Sequence, residues 1–261
     1  MDRKEEQDNK SGKRSKNKKI TASRIIFIIA LIVFLVSGYN LYTIWKEYHD
    51  NKQVYDEVKE YKPKKVENKE DEYEFTKEDY DKLKSINSDF IGWIYIPNTN
   101  VDYPMVQTED NDYYLSHNFY KEDNGGGCIF IASEIEEPFK SARNTIIHGH
   151  NMKDGSMFGS LVNFKDKEFF NNNKIIYIGT EDGVHKYEIF SAYWQKVNDE
   201  PYQYGFESDE KYVEYLNGLK QKSAYTRDIA EFTANDKIIT LSTCSYEVND
   251  GRYLIHARLI D

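Results

Sequence analysis

One cysteine and one arginine near the end of the chain have the residue types and the spacing of a nucleophilic site. Cys244 ends the β-branched, apolar run 237–244, and Arg252 begins a second such run eight positions later. The residues between them end in Asn-Asp-Gly, a strong signal for a turn between two antiparallel strands. The pattern therefore predicts a hairpin that brings the thiol beside the guanidinium. The thiolate is the reactive form of cysteine, and a nearby cation or histidine favours it.

Two of the six histidines lie where an imidazole could reach such a thiol. His148 and His150 end the apolar run 144–150, and a histidine at the end of a strand can project from the rim of a sheet. The period of two along a strand puts both on one face, so the pattern does not choose between them. The other four, for which we favour a solvated or packed role, are His49, His117, His185 and His256.

The second cysteine, Cys128, precedes another apolar run. Two cysteines outside a membrane could form a Cys128–Cys244 disulfide, but a domain of about 200 residues has enough core to fold without one. We therefore expect Cys128 to be an inert, buried thiol. The chain has no Cys-x-x-Cys spacing and no phosphate-binding glycine loop, so neither a metal site nor a cofactor is predicted.

The N-terminal part of the chain has the pattern of a membrane anchor. Residues 25–45 form an uncharged stretch of 21 residues, long enough as a helix to cross a bilayer. Residues 1–24 hold nine Lys or Arg against four acids, which predicts a cytoplasmic tail. A cleaved signal peptide is the alternative, but the apolar run is longer than usual and no clear cleavage site ends it. We predict a charged stalk and linker over 46–75 and an extracellular domain over 76–261.

The charge balance limits the kind of partner. Subtracting the +5 of the tail from the formal net charge of −10 leaves −15 on residues 46–261. A balance this acidic disfavours nucleic acid and anionic lipid surfaces as ligands of the domain. Cationic or neutral partners fit better.

The remainder of the chain alternates short β-type runs with turn residues. So many strands in a domain of this length predict a closed barrel or a sandwich. A helix starting at Thr76 precedes the strands, and helical insertions are predicted at 156–170 and after Ser208. The eight predicted strands are 91–96, 101–106, 128–132, 144–150, 174–179, 185–194, 237–244 and 253–260.

Four features together carry a family resemblance: the sequence TLSTC at 240–244, Gly-Arg at 251–252, the segment IIHGHNMKDGSMFGSL at 146–161, and the N-terminal anchor. This combination resembles the sortases, the cysteine transpeptidases of Gram-positive cell surfaces, and most closely their class B. The resemblance implies a mainly β fold, a closed eight-stranded sortase-type β-barrel. It also implies an N-terminal helix before the first strand and a long helix between strands six and seven.

The resemblance implies roles for individual residues. Cys244 would be the nucleophile, His150 the general acid and base, and Arg252 the group that stabilises the substrate and the oxyanion. His148 stands where class B members often have tyrosine, which makes it a neighbour rather than a catalyst. The implied substrate-binding residues are Asn111, Leu115, Ser242 and Thr243.

The implied reaction has two substrates. A secreted protein with a five-residue sorting signal near its C-terminus would be cleaved after Thr through a thioacyl enzyme. An amine of a lipid-linked peptidoglycan precursor would then take the acyl group, at the outer face of the membrane. Two other hypotheses remain open at this point: a membrane-anchored adhesin or sensor domain with a structural cysteine, and a hydrolytic cysteine protease.

Overall fold

The computed structural model describes residues 3–69, 71–196, 202–245 and 251–260, with side chains for all of these except 3–22 and 244–245. The chain divides into two compact units, Met1–His49 and Asp50–Asp261. Helix α1, Arg3–Val58, contains residues of both. An 18-residue window within Ser23–Tyr61 has a mean hydropathy of 2.4 and is not buried. By length and composition this helix is able to cross a membrane.

The second unit holds the strands. Its 3₁₀ segments are Lys59–Tyr61, Tyr113–Leu115 and Gly159–Lys165. In chain order its other elements are β1 (Lys64–Lys65), β2 (Tyr73–Glu74), α2 (Lys77–Ile86), β3 (Phe90–Tyr95), β4 (Asp102–Val106), β5 (Ile129–Ile131), β6 (Asn144–His148), α3 (Lys167–Asn172), β7 (Ile175–Thr180), β8 (Gly183–Lys196), α4 (Asp209–Lys222), β9 (Ile238–Ser245) and β10 (Gly251–Leu259).

Strands β3 to β10 close into a barrel in the order β10-β8-β7-β3-β4-β5-β6-β9. Strand β9 pairs antiparallel with β10 on one side and parallel with β6 on the other. The closed eight-stranded barrel is therefore confirmed and the sandwich is not formed. Helix α2 precedes the first barrel strand, and α4 lies between the sixth and seventh, as the resemblance implied.

Both faces of the last strand are buried. Tyr253 and Ile255 belong to the main core, whereas Leu254 packs in a second apolar cluster with Leu216 and Leu219 of α4. Because successive residues of a strand point to opposite faces, α4 covers the outer face of the barrel beside β10. The apolar residues of the helix predicted after Ser208 thus serve packing.

Helix α2 begins as its sequence predicts. The Thr76 Oγ1 accepts a hydrogen bond from the Asp79 amide at 3.1 Å, which satisfies a donor of the first turn. The Phe75 and Tyr80 rings lie 6.2 Å apart, edge to face, and fix the entry of the chain into the helix. The helical part of the stretch predicted as a stalk also joins the domain, since Tyr55 and Val58 are buried in the main core.

Candidate active site

Cys244 and Arg252 are register partners in the β9–β10 ladder. Directly opposed residues of an antiparallel pair have Cα atoms about 4.5–5.5 Å apart. Gly251 begins β10, whereas Asn249 and Asp250 of the predicted turn lie outside the described residues. The predicted proximity of cysteine and arginine therefore follows from the pairing of the two strands.

Strand β6 brings the histidine segment to the same end of β9. His148 is the register partner of Ser242, two residues before Cys244, and the Gly149 amide donates to the Ser242 carbonyl at 3.2 Å. His150 follows directly after this last contact. Residues from three adjacent strands, β6, β9 and β10, are thus collected at one end of the barrel.

A groove of about 250 Å³ lies at this end. It contains both candidate histidines, the arginine and all four residues that the resemblance gave as substrate-binding. Its lining residues are Asn111, Leu115, Phe130, His148, Gly149, His150, Tyr202, Tyr204, Ser242, Thr243 and Arg252.

His150 is partly exposed and is held at two points. Its Nε2 lies 2.7 Å from the Leu115 carbonyl oxygen, and its own carbonyl accepts the Phe158 amide at 2.9 Å. A carbonyl oxygen only accepts, so Nε2 carries a proton in this contact, and in the neutral ring Nδ1 is the nitrogen with the lone pair. This assignment leaves one nitrogen of the ring for proton transfer.

His148 has different surroundings from His150. Its ring lies 5.1 Å from the ring of Phe130 and 5.2 Å, edge to face, from that of Tyr202. Desolvation by these neighbours, together with the nearby Arg252 charge, lowers its pKa to about 4. His148 is therefore neutral at physiological pH and forms part of an aromatic wall of the groove.

Three groove residues were missed by the sequence reasoning: Phe130, Tyr202 and Tyr204. The Tyr202 hydroxyl lies 2.5 Å from the Ser242 Oγ, so the segment before α4 is tied to β9. The aromatic sequence YQYGF at 202–206 was the available signal. Its place over β9 depends on the crossing from β8 to α4, which no local pattern encodes.

Asn111 is held by hydrogen bonds at both ends of its amide. Its Oδ1 accepts the Ser133 amide at 2.8 Å, and its Nδ2 donates to the Glu134 carboxylate at 2.9 Å. The hydrogen bond from Asn111 lowers the pKa of Glu134 and keeps that carboxylate charged. The neighbouring Leu115 is 41% exposed, so the groove has an apolar side chain beside an oriented amide.

Arg252 is partly exposed, and its Nη1 donates to the Gly251 carbonyl at 3.2 Å. A guanidinium carries five N–H donors, so this bond leaves capacity for a substrate carbonyl. Thr243 is buried, and its Oγ1 has no hydrogen-bond partner among the described side chains. The groove thus contains a permanent positive charge and a buried hydroxyl near the cysteine.

Cys128 lies apart from the groove. It is a free cysteine, buried in the core, with its Sγ 3.9 Å from the Pro104 carbonyl. Burial raises its pKa to about 12, which keeps it a thiol at physiological pH. The Cys128–Cys244 disulfide is therefore absent, and the expectation of a buried thiol is confirmed.

Comparison with known proteins decides the family. The family model described as Sortase domain matches residues 94–260. The chain belongs to the sortase family. It is 35% identical to Sortase B of Listeria monocytogenes, over 89% of this chain and 94% of that protein. This membership confirms the resemblance to class B and makes the chain a sortase transpeptidase, and none of the comparisons favours an adhesin or sensor domain.

Solved structures agree with the assignment. The crystal structure of sortase B from Bacillus anthracis is similar with a TM-score of 0.71 and 36% identity, covering 83% of this chain and 99% of that one. Sortase B of Clostridium perfringens gives a TM-score of 0.67 and 38% identity over 70% of this chain and 100% of that one. The similarity of this sortase to class B members thus extends from sequence to fold.

Proposed function

We propose that Cys244, His150 and Arg252 are the catalytic residues of this sortase. Cys244 attacks the carbonyl of the Thr in a sorting signal, and the collapse of the tetrahedral intermediate breaks the peptide bond and leaves a thioester. His150, which holds the proton of the Cys244 thiol as an imidazolium, gives this proton to the departing amine. An incoming amine then attacks the thioester, the imidazole takes up the proton of that amine, and Cys244 leaves as the thiolate.

The observation that supports this proposal is the register of three neighbouring strands. The pairing of β9 with β10 opposes Cys244 to Arg252, and the pairing of β6 with β9 brings the segment of His150 to the same end. Positions fixed by sheet hydrogen bonds are well suited to a site that needs accurate geometry.

Arg252 has the chemistry required for charge stabilisation. A guanidinium is always charged and presents several N–H donors in a fixed plane. At this position it would bind the substrate backbone and the oxyanion that forms on the Thr carbonyl. Removing a comparable donor from other enzymes costs about 3 kcal/mol of transition-state stabilisation.

We propose further that the sorting signal binds along the groove. Leu115 offers an exposed apolar contact, Asn111 an oriented amide, and Ser242 a hydroxyl two residues before the nucleophile. The buried Thr243 hydroxyl is a donor that substrate could satisfy. The aromatic rings of Phe130 and Tyr202 would contribute further apolar area to the groove.

The placement of the chain in the cell is also a proposal. A single helix over 25–45 would anchor the protein, with the basic tail 1–24 in the cytoplasm and both the predicted stalk 46–75 and the sortase domain 76–261 outside, the end of α1 in that stalk being packed on the domain. This orientation puts the groove on the side where secreted substrates emerge. The acceptor would be an amine of a lipid-linked peptidoglycan precursor or of the cell wall.

The proposed reaction is tested with the full chain in detergent micelles. Fluorogenic peptides carrying five-residue signals of the Asn-Pro-Gln-Thr-Asn and Pro-Pro-X-Thr-Gly types are supplied with and without a glycine-based amine. We expect cleavage after Thr and, with the amine, a ligated product identified by mass. Cleavage that never yields a ligated product would identify a hydrolytic protease. Full activity of the Cys244→Ala variant would refute the assigned nucleophile.

A further inference from the structure

The C-terminal end of α1 packs in the core of the domain. Tyr55 is 2% exposed, Val58 1% and Asn51 4%, although the surrounding sequence is highly charged. Buried residues at this helical spacing form one face of a helix that packs on the barrel. This end of the helix is therefore a structural part of the domain.

Tyr55 contacts the glycine turn that precedes β5. Its hydroxyl donates to the Gly127 carbonyl at 2.5 Å. A Cβ on the adjacent Gly126 would lie 2.5 Å from the Asn51 Nδ2, so a side chain there would displace Asn51 of the helix. Burial raises the pKa of Tyr55 well above its usual value, and its hydroxyl remains a donor over the working pH range.

The other side of the same turn lies close to His150. Gly127 has a φ of +60°, and a Cβ there would lie 3.2 Å from the His150 Cδ2 and 2.5 Å from the Tyr114 carbonyl. The next amide, that of Cys128, donates to this Tyr114 carbonyl at 3.0 Å. The turn thus supports the segment of Tyr114 and Leu115, and the Leu115 carbonyl accepts the hydrogen bond from the His150 Nε2.

A second route connects Tyr55 with the backbone of His150. The Tyr55 ring packs edge to face on Tyr103, with centroids 5.1 Å apart. The Tyr103 hydroxyl accepts the Met157 amide at 3.0 Å, and the following amide, that of Phe158, donates to the His150 carbonyl at 2.9 Å. Both the ring and the main chain of His150 therefore rest on elements that Tyr55 supports.

We propose that Tyr55 is a positioning residue for His150, acting through the Gly126–Gly127 turn and Tyr103. This inference rests on the proposed role of His150 in proton transfer. If Tyr55 has this role, the functional domain begins at about Asn51 in α1 and not at the predicted boundary, residue 76. Small displacements of a catalytic group cost large factors in rate because the reaction needs aligned atoms.

Tyr55→Phe tests the proposal because it keeps the ring on Tyr103 and removes the hydrogen bond to Gly127. In the full chain in detergent, we expect kcat for peptide cleavage to fall about tenfold with KM nearly unchanged. The pH dependence of iodoacetamide alkylation at Cys244 should shift as well, because it reports the interaction of the thiol with His150.

Two control variants separate positioning from stability. Tyr120→Phe removes a hydroxyl that donates to the Glu57 Oε2 of the same helix at 3.3 Å. This variant should leave kcat and the alkylation profile unchanged. Val58→Ala leaves a cavity beside the same helix and should lower the melting temperature of the domain. At temperatures well below melting, its kcat and alkylation profile should match those of the wild type.

The outcomes are distinct. If Tyr55→Phe keeps wild-type kcat and alkylation profile, or if Val58→Ala reproduces its losses at equal stability, Tyr55 has a structural role only and the proposal is wrong. If the wild-type chain cleaves no signal peptide, or Cys244→Ala cleaves as well as wild type, the proposed function fails instead. Wild-type activity together with a selective loss in Tyr55→Phe supports the proposal.

Discussion

Cys244 and Arg252 oppose each other in the β9–β10 ladder although seven residues separate them in the chain. The parallel pairing of His148 with Ser242 brings a second strand end to the same place. The relation of these groups is therefore set by the hydrogen bonds of three barrel strands. Sheet hydrogen bonds thus hold the backbone of these residues in place, and the following predictions depend on this arrangement.

The two cysteines should respond very differently to substitution. Cys244→Ala should abolish cleavage of a sorting-signal peptide, since the nucleophile is lost. Cys128→Ser should retain most of the rate, because burial keeps the Cys128 thiol protonated and it does not line the groove. Initial rates with fluorogenic peptide measure both, and equal loss from the two substitutions would contradict the assignment.

Substitutions of the two groove histidines should also differ in their effect on kcat. His150→Ala should lower kcat about 10²- to 10⁴-fold, the usual contribution of a general acid or base. His148→Ala should lower kcat less than tenfold and mainly raise KM, because a neutral ring between Phe130 and Tyr202 is removed from the groove wall. A larger loss of kcat from His148→Ala than from His150→Ala would identify His148 as the group that transfers the proton.

Arg252 should act on the transition state more than on binding. Arg252→Gln should lower kcat about 100-fold, the equivalent of about 3 kcal/mol. Arg252→Lys should recover only part of this, because an ammonium lacks the planar set of donors. Arg143→Gln is a matched control, since Arg143 pairs with Asp209 and does not line the groove. Similar losses from the Arg143 and Arg252 substitutions would point to a general effect of charge.

His256 should make the stability of the domain sensitive to acid. Its ring is fully buried, with Nδ1 3.0 Å from the Thr240 Oγ1 and Nε2 3.2 Å from the Tyr193 hydroxyl. Burial first, and the Lys222 charge second, lower its pKa to about 3. The unfolded chain, with a pKa of about 6.5, binds this proton first as the pH falls.

The contribution of His256 is therefore fully present above about pH 6.5 and is lost progressively toward pH 3, at up to about 1.4 kcal/mol per pH unit. Urea unfolding of the wild type and of His256→Gln measures this. The difference at pH 8 gives the packing effect of the substitution, and the change in that difference between pH 6.5 and 4 gives the proton linkage. A difference that stays constant with pH would contradict a buried neutral His256.

The sequence predicted the parts of the structure that depend on local signals. The hairpin of Cys244 and Arg252 follows from two β-type runs and a turn signal, and the start of α2 follows from Thr76 and its neighbours. The closed barrel needed the family resemblance, because alternating strands are equally compatible with a sandwich. Local patterns indicate where the strands lie, but they do not indicate whether the two edge strands of the sheet pair to close a barrel.

Other features depend on contacts between distant segments and were not predictable. Tyr202 reaches Ser242 across 40 positions, and Tyr55 reaches Gly127 across 72. Charged neighbours gave the stretch around Tyr55 the composition of a solvated stalk. The surroundings that distinguish His148 from His150 likewise come from β5 and from the segments before α4 and β5.

The most direct test of the catalytic centre is to find the residue that carries the acyl group. The full chain is mixed with excess signal peptide in the absence of amine, quenched in acid within one turnover, digested and mapped by mass spectrometry. We predict a thioester on the peptide containing Cys244 in the wild type, and far less of it in His150→Ala and Arg252→Gln. Acylation at Cys128 or at a non-cysteine residue, or turnover that proceeds with Cys244 unmodified, would contradict the account.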